Sequence, residues 1–278
     1  MKLYSRNFHL DLSFPHVMGI LNVTPDSFFD GGIHKTLSDI LVHTNNMVNA
    51  GATIIDIGGE STRPGANTIS VSQELERIIP TLEAIADRFE VWISVDTSQP
   101  EVIRESARAG AYMINDIRSL SKPGALEAAA ETGLPICLMH MPCTKPHVTQ
   151  EILPHDDIVS VVDTYFADQI ARCETALIKK ENLVFDPGFG FGKTLRQNYK
   201  LLAYLNHFHH FKLPILVGLS RKSMIGNILN VEVAQRLIGS ISCAVIAAIQ
   251  GAHIIRVHDV KETVEAIRIF EAMKRAKE

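Results

Sequence analysis

The sequence predicts an α/β fold, a TIM (β/α)8 barrel formed as a single domain over residues 1–278. Eight short, largely β-branched apolar runs recur along the chain, which suits strands buried on both faces of a parallel sheet. Each run stops on a polar or charged residue, as expected if all eight strands deliver side chains to one rim. Amphipathic segments lie between the runs, so strand and helix alternate. An open doubly wound sheet shares that alternation; the count of eight and the polar strand ends favour closure.

In chain order, the first run, His16–Leu21, stops at Asn22, the second, Thr53–Ile55, at Asp56, and the third, Val91–Val95, at Asp96. Tyr112–Ile114 stops at Asn115-Asp116, Ile136–Met139 at His140, and Leu183–Phe185 at Asp186. Ile215–Leu219 leads into Ser220-Arg221-Lys222, and His253–Val257 into His258-Asp259. The first ten or so residues are read as a short N-terminal hairpin. Helices are expected at Asp39–Asn49 and Val71–Phe89, the latter with Leu75, Ile78, Ile79, Leu82 and Ile85 at helical spacing. Ser98 is expected to cap a helix that Pro100 begins and Gly110 ends. Further helices are expected at Gly124–Thr132, Ile158–Leu177, Leu195–Phe208, Val233–Ile249 and Lys261–Lys274.

Composition narrows the function. With 46% hydrophobic and 21% charged residues the chain reads as an ordinary globular protein. A net charge of -4 argues against nucleic-acid binding through a broad basic surface. No apolar stretch is long enough for a membrane span and the start has no signal core, so a cytoplasmic protein is expected. Cys137, Cys143, Cys173 and Cys243 lack metal-knuckle spacing and read as reduced thiols.

The chemistry concentrates after the strands. Asn22 to Gly32 has turn chemistry and the aromatic pair Phe28-Phe29, fit for a flap over a flat ligand, with Asn22 offering an amide oxygen to Mg²⁺ or phosphate. Gly58 to Gly65 sets glycines beside Ser61, Thr62 and Arg63, a pattern suited to an anion. Asp96, Asn115, Asp186 and Lys222 end four strands and would converge in a barrel, where they can read the edge of a heterocycle; buried ion pairs holding the strand tops are the alternative. Gly188 to Thr194 fails the Walker spacing because position 187 is Pro187, and it reads as a flexible loop placing Phe191. Arg256 and His258 lie two residues apart on the last strand and are expected to face one phosphate. His207-Phe208-His209-His210 looks metal-like but ends a predicted helix away from the rim, and is read as structural.

Met18 to Phe28 and Asp56 to Gly65 resemble the two signatures of the dihydropteroate synthase family. Asp186 to Lys193, Ser220 to Ser223 and Arg256 to Asp259 match the same family in order, so the resemblance spans almost the whole chain. It implies a barrel enzyme, usually a homodimer, that joins 6-hydroxymethyl-7,8-dihydropterin diphosphate to 4-aminobenzoate and releases pyrophosphate. By the same resemblance, Asp96, Asn115, Asp186 and Lys222 hold the pterin. Asn22 binds Mg²⁺ and diphosphate, and Arg63, Arg256 and His258 serve the anion. Phe28, Thr62, Pro64, Phe191 and Ser223 shape the 4-aminobenzoate pocket. Asp96, Lys222, Asn22 and Arg63 are the expected catalytic set. Inhibition by sulfonamides, which imitate 4-aminobenzoate in this family, is implied as well. Phe29 departs from the smaller or polar residue of many relatives. Two other readings share the barrel: a methyltetrahydrofolate–corrinoid methyltransferase and a non-catalytic pterin-binding paralogue. The first would not need the Ser61–Pro64 loop, and the second should have lost some of Asn22, Arg63, Lys222 or His258.

Overall fold

The computed structural model describes residues 1–24, 36–60, 69–142 and 157–277. Strands β1 (Lys2–Ser5) and β2 (Phe8–Asp11) form the expected antiparallel hairpin, with Lys2 opposite Asp11 and Ser5 opposite Phe8. Eight parallel strands follow: β3 (His16–Asn22), β4 (Ile54–Gly58), β5 (Trp92–Asp96), β6 (Met113–Asp116), β7 (Ile136–Met139), β8 (Leu183–Asp186), β9 (Leu216–Val217) and β10 (Ile254–Val257). Their order is β8-β7-β6-β5-β4-β3-β10-β9, and a parallel bridge between Phe185 and Ile215 brings the two ends together. Phe185 N–H donates to Pro214 C=O at 3.0 Å across that seam.

Helices α1 (Leu37–Asn49), α2 (Val71–Ala86), α3 (Pro100–Ala109), α4 (Ala125–Thr132), α5 (Ile158–Thr175) and α6 (Leu195–Ala203) follow the first six barrel strands. Helices α7 (Ser223–Leu229) and α8 (Leu237–Ile249) follow β9, and α9 (Val260–Arg275) follows β10. Local chemistry sets the starts. Thr36 with Asp39, Ser70 with Gln73, and Thr194 with Gln197 form reciprocal capping boxes on α1, α2 and α6.

The side-chain period of two divides every strand between two cores. Val17, Leu21, Ile55, Ile57, Ile93, Val95, Ile114, Leu138 and Phe185 face outward and pack under the helices. Met18, Ile54, Trp92, Met113, Cys137, Val184, Leu216 and Ile254 form a separate cluster inside the barrel. Leu3, Leu10 and Leu12 of the hairpin segment join that inner cluster, so the hairpin covers the amino-terminal end of the barrel. Two residues further along β4, β5, β6, β8 and β10 the interior turns polar, at Asp56, Ser94, Asn115, Asp186 and Arg256, and the site begins there.

Several elements differ from the sequence reading. Ser98 does not cap α3: Gln99 stands at the N-cap, and the Ser98 hydroxyl donates to the Asp116 carboxylate, a stronger acceptor. The expected helix Leu195–Phe208 ends at Ala203 and continues as a 3-10 helix over Leu205–Phe211. Leu205, Phe208 and Phe211 recur every third residue, a spacing that suits three residues per turn. Val233–Ile249 breaks at Arg236, whose guanidinium donates to Arg221 C=O and Val231 C=O. The seventh strand shrinks to Leu216–Val217, bounded by Pro214, which has no N–H to pair. Helix α7 was not anticipated, because seven residues with an internal glycine give little periodic signal.

Candidate active site

Register builds the site. Asn22 pairs with Gly58, Gly58 with Asp96, and Asp96 with Asn115, which lays these residues around one arc of the carboxyl rim. One layer deeper, Asp56 pairs with Ile20 and Ser94. Asp56 is therefore inside the barrel and two residues short of the end of β4, not at a strand end as the sequence suggested. It is fully buried. Its Oδ2 accepts from Arg256 Nε at 2.6 Å and from Asn115 Nδ2 at 3.1 Å. Arg256 Nη2 donates to Asp96 Oδ2 at 3.0 Å. Four strands are thus joined at the mouth by a continuous network, Asn115–Asp56–Arg256–Asp96.

The expected pairing of Arg256 with His258 is only partly realised. Arg256 turns inward onto two carboxylates, while His258 is exposed at the rim with Nδ1 3.1 Å from Ser220 Oγ. The reason is electrostatic: a guanidinium beside two buried carboxylates is held by them. Burial pushes Asp96 up to about 8 despite the opposing pull of Arg256. Burial also raises Asp186, against the pull of Lys222 and of the Gly188 N–H, which donates to its Oδ1 at 2.8 Å.

The glycine-rich segment after β8 is tightly held. Gly188 has φ +69°, and a Cβ there would lie 2.0 Å from His140 O, so only glycine fits. Lys193 is buried, and its Nζ donates to Gly188 O (2.7 Å), His140 O (3.1 Å) and Phe191 O (3.1 Å). Asn198 adds bonds to Gly190 N, Lys193 O and Thr194 O. This scaffold presents Phe191, which packs with Ile117, Met139 and Met141 as an apolar shelf beside Asn115 and Asp186. Lys222 Nζ reaches the same place, donating to Phe189 O and lying 4.5 Å from the Phe191 ring centre. Burial brings Lys222 down to about 8, opposed by Asp186. Arg221, at φ +57°, makes the turn before it and is clamped by a two-pronged ion pair with Asp259 (2.9 and 2.6 Å). Ser223 is exposed at the start of α7.

Asp56, Asp96 and Asp186 thus face Arg256 and Lys222, with Asn115 between them and an apolar shelf alongside. Such a mouth suits a flat, polar-edged ring that is electron-poor or becomes so. Comparison with known proteins agrees. A family model described as pterin binding enzyme matches residues 18–258. Dihydropteroate synthase of Escherichia coli strain K12 is 69% identical over 278 residues, covering 100% of this chain and 98% of the relative. The chain belongs to the dihydropteroate synthase family. A crystal structure of Yersinia pestis dihydropteroate synthase in a sulfonamide drug complex is 61% identical, covers 99% of this chain and 100% of its own, and superposes with a TM-score of 0.94. Xanthomonas albilineans dihydropteroate synthase with 4-aminobenzoic acid is 43% identical, covers 98% of both chains and gives a TM-score of 0.92.

In this dihydropteroate synthase framework the described residues bring together Asn22, Asp96, Asn115, Asp186, Phe191, Lys222 and Arg256. Phe28, Phe29, Ser61, Thr62, Arg63 and Pro64 lie outside the described residues. Sequence reasoning missed Asp56, although Ile54, Asp56 and Gly58 share one strand face just as Ile254 and Arg256 do. It also missed a buried latch just beyond the carboxyl ends of β4, β5 and β6. Arg118 donates through Nη1 and Nη2 to Glu60 Oε2 (3.2 and 3.1 Å) and to Ser98 Oγ (3.0 Å). Asp116 organises that turn by accepting from the N–H groups of Arg118 and Leu120, both at 2.8 Å. Only a lone arginine after the fourth strand hinted at it.

Proposed function

We propose that this chain condenses 6-hydroxymethyl-7,8-dihydropterin diphosphate with 4-aminobenzoate to give 7,8-dihydropteroate and pyrophosphate. The observation that carries the reading is the convergence of Asp96, Asn115, Asp186, Lys222 and Arg256 on one mouth, in a chain of this family. Asp96, Asp186, Asn115 and Lys222 grip the polar edge of the pterin, and Ile117, Met139 and Met141 lie along its face. Asp96 and Asp186 favour positive charge on the ring as the exocyclic C–O bond breaks, which supports an SN1-like order of events. Arg63, His258 and Arg256, through the Nη1 that Asp56 and Asp96 do not occupy, serve the departing diphosphate. Fixed charges aimed at charge that develops during reaction are worth roughly 3 kcal/mol each. The aniline nitrogen attacks unaided by a strong base. Phe28, Thr62, Pro64, Phe191 and Ser223 form the 4-aminobenzoate pocket, which sulfonamides would occupy.

The rim fits Mg²⁺. Asn22 offers an oxygen donor, and a Cβ on Gly58 would lie 3.5 Å from Asn22 Oδ1 and 3.7 Å from Asp96 Cβ, so glycine keeps that space open. When bound there, the ion neutralises diphosphate oxygens. The reading also includes a cytoplasmic homodimer. Exposed Ile238, Ile249 and Ile269 support pairing through α8 and α9, and among the described residues no helix is long and apolar enough to cross a membrane. The test is pyrophosphate release by purified protein with Mg²⁺. Release should require both the pterin diphosphate and 4-aminobenzoate, and a sulfonamide should compete with the latter. No release with both substrates present rejects the reading.

A further inference from the structure

His207 and His210 lie three residues apart on the 3-10 helix Leu205–Phe211. Three residues complete a turn of such a helix, so side chains at that spacing eclipse. The two rings accordingly share one face, with centroids 5.3 Å apart. Opposite them stands Asp163 of α5, whose Oδ1 is 3.2 Å from His207 Nε2 and 2.5 Å from His210 Nε2. One ligand atom from each of the three residues lies within 4.8 Å of the others. The sequence could not show this, because Asp163 is 44 and 47 residues from its partners.

We propose that Asp163, His207 and His210 form a binding site for a divalent transition-metal ion of the Zn²⁺ class, in the outer helical layer and separate from the barrel mouth. The donor set selects the ion. Two imidazoles and one carboxylate suit Zn²⁺, Co²⁺ or Ni²⁺ better than Mg²⁺ or Ca²⁺, which prefer all-oxygen shells. The spacing agrees. Tetrahedral Zn²⁺ with ligands at about 2.1 Å has ligand–ligand edges of about 3.4 Å. The His207–Asp163 edge is already 3.2 Å. The His210–Asp163 edge must open by under about 1 Å to match the tetrahedral edge, which rotation of a half-exposed imidazole supplies. Three protein ligands leave the fourth position for water.

The backbones carrying the ligands are independently fixed. Phe208 lies between the histidines and is fully buried, and Phe166 lies three residues beyond Asp163. Both pack on Phe185, with ring centroids 5.1 and 3.9 Å away respectively. One aromatic cluster therefore sets the α5 face and the histidine face together, and the metal orders only side-chain ends. The ligand side chains are 29% exposed at Asp163 and 48% at each histidine, so an ion can enter from solvent. Bound there, it staples α5 to the segment after α6 and stabilises the native state, because the unfolded chain offers no such constellation.

The test uses the full-length, untagged, metal-stripped protein titrated with Co²⁺ by visible absorption and with Zn²⁺ by calorimetry. One saturable equivalent per chain is expected, and Zn²⁺ should raise the thermal midpoint. His207→Ala/His210→Ala should weaken binding by roughly tenfold or more and abolish that rise, since two of three ligands are gone. Asp163→Asn removes the third ligand from a different helix and should give the same direction of change. Unchanged affinity in the double-histidine variant, or no saturable binding by the parent, overturns the proposal.

Discussion

Removing the guanidinium of Arg256 tests whether the charges in the mouth form a mutually dependent set. Asp56 is fully buried, and its Oδ2 depends on Arg256 Nε at 2.6 Å and Asn115 Nδ2 at 3.1 Å, while Oδ1 has no partner. Arg256→Met keeps much of the side-chain volume but leaves Asp56 with one hydrogen bond and Asp96 without its cation. Asp96, already pushed up to about 8 by burial, loses its main downward pull and rises further. Breaking a buried pair from one side costs about 3–5 kcal/mol. Unfolding entropy of about 2.1 cal/mol/K per residue over 278 residues is about 0.6 kcal/mol/K, so the thermal midpoint should fall by about 5–9 °C. Differential scanning calorimetry of the free protein measures this without reference to turnover. Asp56→Asn added to Arg256→Met should recover more than half of the loss, because the stranded charge is then gone. A single-variant shift under about 2 °C, against the expected 5–9 °C, would refute the reasoning, as would strict additivity of the two substitutions.

Lys222→Ala should lower turnover by roughly two orders of magnitude, through loss of a cation aimed at the pterin edge; near-normal pyrophosphate release would remove it from the site. Leu3→Ala should destabilise by about 2–5 kcal/mol in urea titrations, since Leu3 is fully buried under the barrel, yet leave turnover of the folded enzyme unchanged. A loss below about 1 kcal/mol would mean that the hairpin is not a structural cover. Glu74, buried on α2 with Oε2 unpartnered, is pushed up to about 7 by burial, despite a hydrogen bond from Thr97 and the nearby Arg118 and Lys122. A folded-state value above the usual 4.5 means that native Glu74 keeps its proton where the unfolded chain has lost it, so this contribution to stability falls as pH rises from 4.5 to about 7. The full penalty above that window is about 3 kcal/mol. Glu74→Gln should therefore be more stable relative to the parent at about pH 8 than at about pH 5, and an equal difference at both pH values rules this out.

Fold was legible where the chain repeats itself. Eight apolar runs, each with a polar stop, give the strand count and the rim, and Pro100 with Gly110 bounds α3 as expected. Polar side chains at strand ends were legible for the same reason, which places Asn22, Asp96, Asn115 and Asp186 at the mouth; Lys222, expected to end the seventh strand, instead stands beyond β9 at the N-cap of α7. What escaped depends on partners far away in the chain. Lys193 binds three carbonyls, Arg118 binds Glu60 from 58 residues away, and Arg256 binds Asp56 across 200. A carbonyl acceptor leaves no trace in residue identity, and a buried cation looks like a surface cation until its neighbours are known. Asp56 escaped for a different reason: it was read as ending its strand, whereas Ile57 and Gly58 continue it.

The strand period explains why a stable barrel and a charged mouth coexist on the same residues. Along β4, Ile54 belongs to the apolar plug, Asp56 to the ion-pair layer and Gly58 to the open rim. Along β10, Ile254 belongs to the plug and Arg256 to the ion-pair layer, and His258 stands exposed beyond the strand. Each two-residue step up the barrel trades burial of apolar surface for electrostatics. The deepest layer, closed from below by Leu3, Leu10 and Leu12, excludes water from beneath the charges. Low local dielectric then makes Asp96 and Asp186 costly to keep ionised without partners, and makes each partner effective. A ligand carrying positive charge at that depth meets groups already desolvated by folding, so little reorganisation remains when it binds. The outward faces of β4 and β10, Ile55, Ile57, Ile255 and Val257, are apolar beneath the helices, which leaves the inner face free to hold charges that a hydrophobic core could not accept.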